Sequence, residues 1–290
     1  MVLCYNSPMI LAQEGDLALY VDLKDGKRRL VRLQTGGAFH THRGLIRHDD
    51  CIGQPWGRLV RTQLDACYLV LEPSTAERLQ YLKRNSQIMF PKDVGYLLLK
   101  LGVRPGRLIV EAGTGSGGMT LALALATAPL GRVVSYDVRP EMQAIAVKNL
   151  ERNGICPELV EFKVRDIAEG LDESDADAFF LDVPQPWDYL AQVAASLRGG
   201  AFFATVLPTM NQVVKTVEGL EAGPYGMIEV EELLLRPYKP VSTRVRPADR
   251  MVAHTVYLIF ARRLAPDPQG PSPASLEVLH TDLEDLGLSG

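Results

Sequence analysis

Through residue 75 the apolar positions come in short runs that alternate loosely with polar ones and are cut by turn residues. Residues 17–23, 28–33, 57–62 and 67–71 read as strands, separated by Asp25-Gly26, Gly36-Gly37 and Pro55, the pattern of a small barrel or sandwich. Glu72-Pro73-Ser74-Thr75 closes this part, and Ser74 or Thr75 caps a predicted helix over 76–83. From residue 91 the period changes. Helices predicted at 92–101, 119–128, 140–153, 187–196 and 212–221 alternate with short apolar strands at 108–112, 132–136, 160–164, 178–181 and 201–206. Such strands belong to a parallel sheet covered by helices on both faces. Strands near 228–234 and 254–261 leave no room for a crossover helix between them, so they should pair antiparallel at one edge. The expectation is an α/β fold: a Rossmann-like, mostly parallel seven-stranded sheet with an antiparallel edge, preceded by a small N-terminal β domain. The domains are set at 1–75, 76–263 and a Pro-rich acidic tail at 264–290, with the first break inside the window 72–90. Leu276, Leu279, Leu283 and Leu286 of the tail fit one face of a short helix.

Composition narrows the class without naming an activity. Of 290 residues 47% are hydrophobic and 23% charged, the balance of a folded globular protein rather than a disordered one. No apolar run approaches the ~18 residues that cross a bilayer, and the N-terminus lacks a secretory signal pattern. Cys4, Cys51, Cys67 and Cys156 form no CxxC pair and read as reduced thiols of a cytoplasmic protein. The net charge of −4 is unevenly spread. Five acids and no Lys or Arg fall in 264–290, whereas 76–110 carries seven basic and two acidic residues and 236–263 seven and one. A polyanionic partner therefore stays open, because partners respond to local fields.

Candidate chemistry gathers after the first strand of the α/β region. Glu111-Ala112-Gly113-Thr114-Gly115-Ser116-Gly117-Gly118 places glycines and free amides of a helix start where a ligand would approach the backbone. The same letters satisfy GxGxxG, and Asp137, 24 positions beyond Gly113, could accept ribose hydroxyls, so a dinucleotide reading must be weighed. Asp166 follows the third strand and suits either an adenine amino group or a helix N-cap. Asp182 ends the fourth strand, followed by Pro184-Gln185-Pro186-Trp187. A carboxylate at that strand end beside a rigid loop suits a pocket for a planar base and is not required by hydride transfer. His40, His42 and His48 lack a further ligand at metal-site spacing, so no metal is expected; His42, Arg43, Arg47 and His48 are read as polar surface or an RNA contact. Arg236, Lys239, Arg244, Arg246 and Arg250, between the last two strands, form the preferred phosphate-contacting loop, with subunit packing as the alternative.

The ordered blocks at 44–53, Ser86 to Asp93, Glu111 to Thr120, Ser135 to Pro140, Leu181 to Trp187, Leu207-Pro208 with Gln212-Val213, and His254-Thr255 make the chain similar to the tRNA (adenine-N1) methyltransferase family. That family acts on the T-loop adenosine at position 58. The resemblance covers about residues 15–263 and implies a class I methyltransferase domain, S-adenosyl-L-methionine as donor, tRNA as partner, and a homotetramer. Carried over by position, it places Gln87, Gly113, Thr114, Gly115, Ser116, Gly117, Gly118, Asp137, Asp166 and Asp182 at the cofactor. Asp182 matches the family's catalytic aspartate. Phe90, Trp187, Arg236, Arg244, Arg246 and Arg250 are the residues expected at the RNA substrate. Some members carry tyrosine where this chain has Phe90 and Val206. The alternatives are a methyltransferase on another RNA or a protein, a non-catalytic RNA-binding subunit, and an NAD-dependent dehydrogenase.

Overall fold

The computed structural model describes residues 10–84, 89–155 and 157–265. Gln87, Cys4, Cys156 and the tail from residue 266 on, with its expected helix, lie outside the described residues. The chain divides into two compact units, one running to Leu82 and including Leu150–Gly154, the other beginning at Lys83.

In the first unit β1 (Leu17–Asp22), β2 (Arg28–Arg32), β5 (Arg58–Arg61) and β6 (Cys67–Leu71) form an antiparallel sheet in the order β2-β1-β6-β5. Strand β6 alternates strictly, sending Tyr68 and Val70 inward to join Ala18, Tyr20, Leu33, Ile46, Cys51 and Val60. A second hairpin, β3 (Ala38–Thr41) with β4 (Gly44–Arg47), was not among the predicted strands. Its loop, His42-Arg43, carries none of the usual turn pairs, and the left-handed conformation it needs falls on Gly44 at φ 108°. Helix α1 (Thr75–Gln80) starts at the Ser74 cap, which accepts from the Glu77 amide while Glu77 accepts from the Ser74 amide. It ends at Gln80, short of the expected 83. It groups with the first unit rather than with the 76–263 domain, because Glu77 pairs with Arg28 and the Tyr81 hydroxyl donates to the Arg28 carbonyl.

The second unit holds a seven-stranded sheet made of β7 (Leu108–Ala112), β8 (Arg132–Asp137), β9 (Val160–Val164), β10 (Ala176–Leu181), β11 (Leu197–Leu207), β12 (Tyr225–Glu231) and β15 (Tyr257–Arg263). The order is β12-β15-β11-β10-β7-β8-β9; β11 to β9 run parallel, and β15 lies antiparallel between β11 and β12. Strands β7 and β10 are buried almost throughout because helices cover both faces, and Val110, Val134, Phe179, Leu181, Phe203 and Ile259 meet in the core. Helices α2 (Pro91–Lys100), α3 (Gly118–Thr127), α4 (Pro140–Arg152), α5 (Leu190–Ser196) and α6 (Met210–Ala222) complete the layers. The expected helix at 187–196 is split: a 3-10 turn over Pro186–Tyr189 precedes α5, since Pro186 cannot continue a hydrogen-bonded helix from the strand end. Between β12 and β15 the chain makes a small hairpin, β13 (Tyr238–Lys239) with β14 (Arg246–Pro247). From β7 the chain winds outward through β8 and β9, then returns to β10 and β11 on the other side. The carboxyl ends of β7 and β10 are thus the switch point at which open α/β sheets bind ligands. Among the described residues no helix is long and apolar enough to cross a membrane.

Candidate active site at the carboxyl edge of the sheet

The glycine turn is fixed by its neighbours. Gly113 N donates to Tyr136 O at 2.8 Å, and Asp182 N donates to Ala112 O at 2.8 Å, so the ends of β7, β8 and β10 are tied together. Gly113 has φ 96°, and a Cβ built there would lie 2.0 Å from the Asp182 carbonyl oxygen. Gly117, left-handed at φ 80°, is the N-cap of α3. Beneath the turn a buried polar chain runs from Thr114 Oγ1 to Ser135 Oγ (2.7 Å), and both Ser135 and Thr120 donate to Glu111 Oε2 at 2.6 Å. Burial pushes the Glu111 carboxyl up to about 7 against those two donors. From α4, Asn149 donates to Ser116 O and Lys83 O and accepts from Lys83 N, holding the turn's outer side.

A cavity of about 350 Å³ opens over this edge, lined by Gly113, Asp137, Asp166 and Asp182 among the residues singled out in the sequence, with Arg139, Arg165 and Tyr189. Asp137 Oδ2 accepts from Gly115 N at 3.0 Å, and Oδ1 accepts from the Arg139 amide and Nε at 2.9 and 3.1 Å. Asp166 caps the 3-10 turn Ile167–Glu169 through the Ala168 amide at 2.9 Å, so the capping role and a place on the cavity wall coexist. The side chains of Thr114 and Ser116 are buried away from this lining, and Gly115, Gly117 and Gly118 shape the turn from behind it.

A second cavity, of about 370 Å³, shares Asp182 with the first. Phe90, Val206, Pro208, His254 and Thr255 lie on its walls. Phe90 is the N-cap of α2 with Pro91 at N1, and the residue is 42% exposed. The buried Asp93 accepts from Lys92 Nζ (2.6 Å) and from Thr255 Oγ1 (2.9 Å), and Lys92 also donates to Thr255 Oγ1, clamping the chain before β15 to α2. His254 is held between Glu232 Oε1 (2.6 Å) and the Pro208 carbonyl (3.2 Å); both partners are acceptors, and they raise its pKa.

Asp182 is the one carboxylate common to both cavities. No donor among the described residues bonds it. Its carboxylate is exposed to the two cavities, while protein atoms surround its other sides. That partial desolvation, with Asp137 adding repulsion and Arg139 opposing, raises its pKa to about 6.

Other predicted residues fall elsewhere. The Trp187 ring lies beneath Lys215 Nζ of α6, 5.2 Å from the ring centre, and faces neither cavity, because the Pro186 turn directs it onto α6. Arg236, Arg244, Arg246 and Arg250 are exposed on the segment between β12 and β15. That segment also exposes Leu234, Leu235, Tyr238, Val241 and Val245. His48 is buried and accepts from Gln34 N; Arg43 and Arg47 pair with Asp22 and Asp50. Among the described residues no group of His, Cys, Asp and Glu has the arrangement of a metal site. Sequence reasoning missed Arg139, Arg165 and Asn149. A polar Asn among the apolar positions of α4 was the available signal for the last.

A family profile described as "tRNA methyltransferase complex GCD14 subunit" matches residues 67–246, and one described as "TrmI-like N-terminal" matches residues 13–60. The tRNA (adenine(58)-N(1))-methyltransferase TrmI of Thermus thermophilus is 36% identical over 244 residues, which span 83% of this chain and 95% of that protein. The crystal structure of tRNA (m1A58) methyltransferase TrmI from Aquifex aeolicus is 33% identical with a TM-score of 0.74, covering 89% of this chain and 100% of that one. A structure from Thermotoga maritima, described as a SAM-dependent O-methyltransferase, is 42% identical with a TM-score of 0.80, covering 88% and 96%.

Proposed function

The chain belongs to the family of the tRNA methyltransferase complex GCD14 subunit, and from that membership we propose that it methylates adenine N1 at T-loop position 58 of tRNA in the cytoplasm, with S-adenosyl-L-methionine as donor. The observation that carries this reading is the open carboxylate of Asp182, shared by two cavities. The first cavity suits the donor: its volume falls in the range of nucleoside-sized sites, and Asp137 and Asp166 bring acceptors to the ends of adjacent strands. Asp137 would hold the ribose, Asp166 the adenine and the Gly113 turn the amino-acid end, with Gln87 added by the resemblance. When bound, S-adenosylmethionine supplies an electrophilic methyl carbon.

The protein's part is position and charge. The target N1 lies on the Watson–Crick edge, so the base must leave its stack to enter the second cavity, where the Phe90 ring offers a stacking face. Asp182 accepts a hydrogen bond from the adenine N6 amino group and so aims the N1 lone pair. Neutral N1 already has that lone pair and needs no prior deprotonation. As N1 gains the methyl carbon and the sulfur–methyl bond breaks, the charge that the sulfur gives up would appear on the adenine ring, where the Asp182 carboxylate would stabilise it. Val206 contributes bulk to the wall but neither ring nor hydroxyl.

Purified protein should transfer labelled methyl to an unmodified tRNA transcript and yield 1-methyladenosine on nucleoside analysis. Label on a ribose oxygen or on another base would reassign the acceptor. No transfer alongside tight tRNA binding would favour a non-catalytic subunit.

The segment between β12 and β15 supports two further roles. Leu234 and Leu235, 66% and 62% exposed, suit contacts between copies in a homotetramer, and the four exposed arginines suit RNA phosphates. Reversing charge at Arg244 and Arg246 is expected to weaken tRNA binding and lower its salt slope by about 2, with the mass by light scattering unchanged. Dissociation at a constant slope would assign these arginines to subunit packing.

A further inference from the structure

The first unit has a cavity of its own, of about 230 Å³, far in character from the acidic one over the large sheet. Lys27, Arg29, His40 and His42 line it, all with exposed side chains. The pairs 27/29 and 40/42 each sit two residues apart, the spacing that puts side chains on one face of extended chain. Its floor is aromatic: Phe39 packs on Tyr20 with ring centres 4.7 Å apart and meets Tyr68 edge-on at 6.2 Å. The single carboxylate in the lining, Asp22, is already spent. It accepts from Lys24 N and takes two bonds from Arg43 Nη1 at 2.6 and 2.8 Å, and those donors hold its pKa down at about 2. The other nearby acid, Asp25, pairs with Lys27. Arg29 bonds only the Arg28 carbonyl among the described residues, and His40 and His42 have no hydrogen-bonding or ionic partner there.

A site whose rim carries Arg29, the Asp25-paired Lys27 and two imidazoles without a partner among the described residues, and whose acids are all paired, selects an anion, and an aromatic floor favours an anion that carries an apolar, planar neighbour. The opening is wide and its polar rim is made of exposed surface side chains, which suits a point on an extended polyanion better than an enclosed small ion. We propose that this cavity binds a backbone phosphate of the RNA substrate, with the adjoining nucleotide laid against Phe39. The proposal rests on tRNA being the substrate. It gives the β unit a share in RNA binding through Lys27, Arg29, His40 and His42, separate from the arginines of the segment between β12 and β15.

The test compares full-length wild type with Lys27→Ala/Arg29→Ala, whose substituted side chains are exposed and leave the core intact. An unmodified tRNA transcript is the probe. The variant should bind it on the order of 10-fold more weakly, with a salt slope lower by about 1 for the single phosphate lost. KM for tRNA should rise by the same factor while kcat at saturating tRNA and S-adenosylmethionine affinity hold. The exchange Lys27→Arg/Arg29→Lys, which keeps both charges, should restore binding. Wild-type affinity and slope in the alanine variant overturn the proposal. So does inorganic phosphate that binds wild type, fails to bind the variant and leaves tRNA affinity unchanged, since the cavity is then a free-anion site. The nucleoside product separates this inference from the function it rests on: if wild type makes no 1-methyladenosine but the variant still loses tRNA affinity, the catalytic reading falls and the RNA site stands.

Discussion

Replacing Asp182 with alanine is expected to lower turnover by a factor of ~10² or more while S-adenosylmethionine affinity stays within about threefold. The asymmetry follows from what the carboxylate touches. The backbone of residue 182 holds the strand ends together through its amide to Ala112 and survives the change, whereas the side chain accepts no hydrogen bond among the described residues and lies on the walls of both cavities. The pH profile carries the same signature. With the free carboxyl raised to about 6, kcat/KM of the wild type should climb as pH rises through that value, and the limb should vanish in Asp182→Ala. Stability moves the other way. The unfolded aspartate titrates near 4, so between about 4 and 6 the folded state holds the proton that the unfolded state has lost. The penalty for a desolvated charge therefore grows over that window and is fully present above it. At pH 7.5 the alanine variant should unfold at the same temperature as wild type or higher, a difference that closes toward pH 4. Equal loss of turnover, donor affinity and stability would make Asp182 a structural residue.

The parts that could be read from sequence are those whose local chemistry has one reading. Strands 108–112 and 178–181 are mostly apolar because both faces are covered, and they end at Gly113 and Asp182, both on the wall of the first cavity. The first cavity's wall was legible for the same reason, since Gly113, Asp137, Asp166 and Asp182 each follow a parallel strand. The second cavity was not. Phe90, Asp182, Val206 and His254 come from four separated segments, and no spacing along the chain announces that they face one space. The Lys92, Asp93 and Thr255 clamp that closes it joins residues over 160 positions apart. Trp187 stands apart: its loop made it a stacking candidate, and the turn at Pro186 sets the ring beneath Lys215. The β3–β4 hairpin escaped notice because Phe39-His40-Thr41-His42 is too polar to stand out as a strand. Those are the residues that the small cavity of the first unit uses.

Gly113→Ala should be the most damaging single methyl in the protein. The added carbon would stand 2.0 Å from Asp182 O and 2.8 Å from the same carbonyl carbon, both backbone atoms. Neither side can give way cheaply, because Asp182 N is bonded to Ala112 O and Gly113 N to Tyr136 O. At φ 96° the residue also occupies backbone space that an alanine rarely enters. Relief requires β7 and β10 to part at their carboxyl ends or the turn to be rebuilt, at a cost of about 3 kcal/mol or more. Either route moves the floor of the first cavity and the Asp182 carboxylate together. Donor affinity should therefore fall at least about 100-fold and turnover with it, in contrast to Asp182→Ala, which spares the donor. Gly95→Ala is the control: it lies inside α2, its new carbon meets nothing within 4 Å, and it should gain about 0.5–1 kcal/mol from the helical preference of alanine. Urea unfolding gives both stabilities and calorimetry with S-adenosylmethionine gives the affinity. A Gly113→Ala protein that binds the donor as wild type does would show that the Gly113 turn does not face it.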